Sequence, residues 1–147
     1  YPRLGGFVPA EVARVGSKWP DARIVAGART AFVLTEVWSK LKLAKIAPET
    51  TADAASSVPT FELLTQEGSR IVWGAAPGSE AKGEMPAAKK IGALLDYIAD
   101  HGSLDGRDGP QHLDVRGGHL IVIAKLPPNT KTDDATSAKK SKSTEQK

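Results

Sequence analysis

Cysteine is absent from these 147 residues, so disulfides, thiolate-held zinc and thiol nucleophiles are excluded, although the absence assigns no compartment. Aromatic residues make up only 5%, and they do not interleave with basic residues as a stacking surface for single-stranded nucleic acid requires. Neither sign of charge dominates. Twenty Lys and Arg stand against 17 Asp and Glu, a formal net charge of +3, too small to create a field that announces a polyanion binder. No run of 18 apolar residues occurs and no signal peptide opens the chain. The first residue is Tyr1 rather than Met, which leaves room for a targeting or membrane segment upstream.

What is present is enough for one core. The chain is 40% apolar, and at this length a single globular domain is expected. Residues 129–147, "NTKTDDATSAKKSKSTEQK", carry five lysines and three acids but no aromatic or branched aliphatic residue. Such a tail cannot offset its ordering entropy by burial, so it is expected to be disordered, with the domain occupying residues 1–128.

Residues 1–20 are broken by Pro2, Gly5, Gly6, Pro9, Gly16 and Pro20 and read as an entry loop. From Asp21, a suitable N-cap, a first helix is predicted over residues 21–41, because Leu34, Val37, Trp38 and Leu41 fall on one stripe of a 3.6-residue period. "KLAKIA" can follow as a short strand before Pro48. "TFELLTQEGSRIVWG" reads as a β-hairpin turning at Glu67 and Gly68. A second helix is marked by Ile91, Leu94, Leu95 and Ile98, with Pro86 in its first turn and Gly102 at its end. "QHLDVRGGHLIVIAK" reads as two strands joined by Gly117 and Gly118. Hairpins make neighbouring strands antiparallel, so the fold class expected is α+β: an antiparallel sheet with two main helices on one face.

Several chemistries fail on spacing. "GAAPGSEAKG" between a strand and a helix suggests a phosphate loop, but Gly74 and Gly78 enclose three residues rather than four, and Lys82 precedes Gly83 rather than Ser or Thr. The dinucleotide pattern is missing too. His112, Asp114 and His119 are conceivable metal ligands, yet a solvated polar strand face explains them more simply. Glu80, Glu84, Asp105 and Asp108 lie in loops, where carboxylates are usually solvated rather than catalytic. No G-x-S-x-G supports a serine hydrolase. Trp19, Trp38 and Trp73 are a conceivable ligand surface, but Trp38 on a helical stripe and Trp73 on a strand read more simply as core. No enzymatic activity, cofactor or metal is expected.

"HLIVIA" resists a bland reading. Leu120, Ile121, Val122 and Ile123 are apolar without alternation, although a strand covered on one face should alternate. If central, it is covered by the protein itself; if it is the last strand, at an edge, its free N–H and C=O groups and second apolar face invite another chain.

These segments together resemble the extracytoplasmic C-terminal β domain of bacterial cell-division proteins of the FtsQ/DivIB family, over Tyr1 to about Pro128. "YPRLGG" resembles the family's entry motif, "FELLTQEGSRIVWG" its hairpin ending in glycine, Lys89 or Lys90 with "IGALLDYI" its following helix, and "HLDVR" its Asp-Leu-Arg strand before a final hairpin strand and a proline pair. The resemblance implies a non-enzymatic divisome scaffold that binds FtsB/DivIC and FtsL-like single-pass partners during septum formation by β-strand addition. It implies a partner-binding surface at Arg116, Gly117, Gly118, His119, Leu120, Ile121, Val122 and Ile123. It further implies a place on the periplasmic or extracytoplasmic side of the bacterial inner membrane, held through an N-terminal transmembrane span and POTRA domain upstream, with no nucleic acid as partner. The turn after Arg116 is shorter than is usual in the family, and the loops at residues 49–58 and 102–110 are longer. The alternative reading is a cytoplasmic α+β domain that touches nucleic acid through its basic tail.

Overall fold

The structure is a computed structural model that describes residues 1–6, 21–49, 58–117 and 119–127. The tail from residue 129, Trp19 and Gly118 therefore lie outside the described residues. Seven elements follow in the order α1 (Ala22–Leu34), β1 (Leu43–Pro48), β2 (Thr60–Thr65), β3 (Arg70–Ala75), α2 (Ala87–His101), β4 (Gln111–Asp114) and β5 (Ile121–Lys125). The strands form one sheet in sequence order, β1-β2-β3-β4-β5.

Asp21 caps α1 as expected, its carboxylate accepting the Arg23 backbone N–H at 2.9 Å. The helix stops at Leu34 rather than Leu41. Past that point the regular ladder breaks into mixed turns: Val37 N–H reaches Leu34 C=O and Lys42 N–H reaches Ser39 C=O over three residues, Leu41 N–H reaches Val37 C=O over four, and Leu43 N–H reaches Trp38 C=O over five. The cause is local: Thr35, Val37, Trp38 and Ser39 are weak helix formers, and the Thr35 hydroxyl donates back to the Ala31 carbonyl. The apolar stripe survives the change, with Leu34, Trp38 and Leu41 all buried. In α2 Pro86 is the residue before the first turn, and Gly102 ends the helix in the left-handed region at φ 83°, donating its N–H to the Ile98 carbonyl.

The α+β class holds, with one correction to the sheet. β1/β2, β2/β3 and β4/β5 are antiparallel, but β3 and β4 pair in parallel, Ile71 opposite Leu113. The reason is the connection. Between β3 and β4 the chain crosses over through α2, and a crossover of that length returns the next strand in the same direction. One core receives Leu34 and Leu94 from the two helices together with Leu43, Phe61, Leu63, Ile71, Trp73, Leu113 and Val115 from the sheet, so both helices cover the same face. Trp38 and Trp73 are core residues.

The Gly74 to Pro86 connection is fastened from inside. The Glu84 carboxylate accepts the Ala75 N–H at 2.9 Å and the Ala81 N–H at 3.2 Å, and it pairs with Lys90, whose side chain is fully buried beneath the Trp73 ring. Gly74 is required here: its φ is +90°, and a Cβ would collide with that carboxylate. Asp105 is a second anchor, accepting from the hydroxyls of Thr65 and Ser69 and so tying the loop after α2 to the β2–β3 turn. These two loop carboxylates hold other segments in place, Glu84 with its side chain 9% exposed and Asp105 partly buried, contrary to the expectation of solvated side chains.

Candidate partner-binding edge

The two borders of the sheet are treated differently. Along β1 the entry segment adds a short parallel bridge at Leu4, in which Ile46 N–H donates to the Arg3 carbonyl at 2.8 Å and Gly5 N–H to the Ile46 carbonyl at 2.9 Å. Along β5 no strand lies outside among the described residues. That border keeps a row of backbone groups facing away from the fold.

Register explains the unusual apolar run. Asp114 faces Ile121, Leu113 faces Val122, and His112 faces Ala124, so the ladder slips between His112 and Leu113 and leaves Ile123 without an opposite residue. A bulge of this kind turns alternation off locally. Residues opposite each other share a face. Val122 therefore lies on the helix side with Leu113, and Ile121 on the outer side with Asp114. Ile121, Val122 and Ile123 remain 48%, 44% and 52% exposed. The position is the edge alternative of the sequence reading, and the strand's own fold covers neither face fully.

The β4–β5 connection is longer than a two-residue turn, since β4 ends at Asp114 and β5 begins at Ile121. Val115 continues the line of β4 without a formal place in it, donating its N–H to the Val72 carbonyl at 3.3 Å. Arg116 turns back on its own segment: its guanidinium meets Asp114 at 2.8 Å and its N–H donates to the same carboxylate at 2.9 Å. Burial pushes the Asp114 pKa up, but these hydrogen bonds outweigh it, and the carboxyl is held below its ordinary value. The Arg116 pKa is raised, chiefly by its side-chain hydrogen bond to Asp114. The Arg116 carbonyl accepts the Met85 N–H at 3.0 Å, joining this connection to the entry of α2.

Of the predicted surface residues, Ile121, Val122 and Ile123 lie in β5 at the open border, and Arg116, Gly117, His119 and Leu120 lie in the connection between β4 and β5. Leu120 differs from the rest in packing partly into the core. Reading the sequence alone missed Lys125, which completes β5 and pairs at 3.0 Å with Asp108 in the loop before β4. Its amide matters: Leu126 N–H points inward to the Pro110 carbonyl at 2.8 Å, so the neighbouring Lys125 N–H points outward. Among the described residues no three His, Asp or Glu side chains converge as metal ligands, and no helix is long and apolar enough to cross a membrane. No protein-family model, curated protein or solved structure matches this chain.

Proposed function

We propose that this domain is a non-enzymatic assembly module, a divisome scaffold of the FtsQ/DivIB type, which binds a membrane-protein partner by accepting the partner's strand along β5. The observation that carries the reading is the pairing of an open backbone row with an exposed apolar strand at one border, while the opposite border is bridged at Ile46 by the chain's own entry segment. Soluble proteins blunt such edges with charge, proline or a covering loop. β5 has a bulge at Ile123 and a lysine, Lys125, at its end, but Ile121, Val122 and Ile123 between them stay apolar and exposed, which suits main-chain recognition with side-chain pockets adding specificity. The FtsQ/DivIB-like order of motifs supports the choice of FtsB/DivIC-like and FtsL-like proteins as partners, and of the extracytoplasmic side of the bacterial plasma membrane as the site of action.

The test is binding of the source bacterium's FtsB/DivIC-like ectodomain to the domain and to Ile121→Lys. The residue is half exposed, so the variant keeps its fold while a charge stands where the partner must pack. Loss of binding with an unchanged melting temperature is the expected result. Undiminished affinity would remove β5 from the interface.

A further inference from the structure

Every residue of β5, from Ile121 to Lys125, is exposed, and its single charge, Lys125, stands at the end of the strand and is already paired with Asp108. Ile123 is the midpoint of the strand and the residue that the bulge leaves without a neighbour on β4. The Lys125 N–H points outward, and by alternation Ile123, two residues earlier, presents its backbone groups on the same open side. Such a strand is complementary to its own copy turned about a two-fold axis. Antiparallel pairing centred on Ile123 sets Ile123 against the same residue of the second copy, Val122 against Ala124 and Ile121 against Lys125, so the whole strand is used and no like charges meet. The two lysines then stand about 14 Å apart, four rises of roughly 3.4 Å, beyond the Debye length of about 8 Å at physiological ionic strength.

The other border of the sheet limits how far such pairing goes. Stacking β5 of one copy on β1 of the next would continue without end, but the Ile46 N–H and C=O on that side are taken by Arg3 and Gly5. An isologous contact between two β5 strands closes on itself. We propose that the domain pairs with a second copy of itself through β5, forming a two-fold dimer whose sheet runs across both copies, and that this contact occupies the border a partner strand needs. Partner binding is then an exchange, in which each incoming strand displaces one copy. The inference rests on the open border of the proposed function but not on the identity of the partner. Five residues a side make a small interface, so the dimer is weak and is populated at micromolar to millimolar concentration.

The test is sedimentation velocity of the full 147-residue chain over rising concentration, beside Ile123→Lys and a control at the other exposed apolar surface, Phe32→Ser on α1, where the ring is 81% exposed. A monomer–dimer equilibrium is expected that persists in Phe32→Ser and moves toward monomer by roughly 10-fold or more in Ile123→Lys, which sets two cations directly opposite each other. Because the chain has no cysteine, Ile123→Cys reads the register: residues directly opposite lie about 4.5–5.5 Å apart between Cα atoms, within disulfide reach, whereas Lys125→Cys would stand about 14 Å from its copy. Oxidation should cross-link the first variant and not the second. A chain that stays monomeric throughout, a dimer unmoved by Ile123→Lys, or equal cross-linking of both cysteine variants overturns the proposal. A monomeric chain that still binds the FtsB/DivIC-like ectodomain through Ile121 leaves strand addition standing without self-pairing. A β5 dimer that the ectodomain binds without dissociating overturns the exchange.

Discussion

Replacing Lys90 with methionine removes a cation from the interior without removing its stem. The Lys90 side chain has no exposed surface, its ammonium lies 4.9 Å from the centre of the Trp73 ring, and its counter-charge is Glu84, whose side chain is 9% exposed. Methionine fills most of the same volume, so a cavity contributes little. What remains is a carboxylate that keeps the backbone donors of Ala75 and Ala81 but has lost the lysine it pairs with. Breaking a buried ion pair from one side costs about 3–5 kcal/mol, a large part of the 5–15 kcal/mol by which a domain is stable. At about 3–4 °C per kcal/mol for a domain of roughly 130 residues, the melting temperature should fall by at least ~9 °C. Urea unfolding followed by tryptophan fluorescence reads it directly, because Trp73 is the neighbouring ring. The double variant Lys90→Met/Glu84→Gln should recover part of the loss, since an amide oxygen can still accept the Ala75 N–H and no unpaired charge is left. A cost below about 1 kcal/mol for Lys90→Met would refute the assignment of this pair as the fastener of the β3–α2 connection.

Asp105→Ala leaves the Thr65 and Ser69 hydroxyls without their acceptor, and at roughly 1–3 kcal/mol for each unsatisfied buried group the expected loss is about 2–6 kcal/mol by chemical denaturation; a change within about 0.5 kcal/mol, the scale of an ordinary surface substitution, would show that the loop is held by other means. For Asp114 the folded pKa is lowered below the ordinary 3.8, so the unfolded chain takes up the proton first as pH falls. Its contribution is complete above about pH 4 and is lost as pH drops through the lower folded value. Thermal melts between about pH 2 and 6 should therefore show a shallower acid limb for Asp114→Asn than for wild type, and identical limbs would contradict the Asp114–Arg116 assignment.

The sequence made the elements of this fold legible where a local signal and the tertiary packing agreed. The Ile91, Leu94 and Leu95 stripe, the Gly102 stop, the Asp21 cap and the β2–β3 hairpin are all such cases. It failed where a distant contact decides. Nothing local to "QHLDV" says that it pairs with β3 rather than with β2 or β1, and so the parallel pairing was invisible. The helix end at Leu34 was masked because Trp38 and Leu41 stay buried in the irregular turns that follow, keeping the periodic signal alive past the regular helix. Glu84 and Asp105 looked like loop carboxylates because their partners are backbone amides, a buried lysine and hydroxyls from other segments. At the candidate edge, the unbroken apolar run gave the border away, whereas the bulge at Ile123 and the outward Lys125 amide depend on register that only paired strands define.

The account depends most on the outer side of β5 being vacant in the isolated protein, and residue-resolved amide hydrogen exchange measures that without any partner. The Leu126 amide, bonded to the Pro110 carbonyl, should be protected, while the Lys125 amide, pointing away from β4, should exchange at close to the rate of an unstructured peptide. Strong protection of Lys125 at a concentration where the domain is monomeric would mean that the chain already closes its own border, and strand addition at β5 would be contradicted.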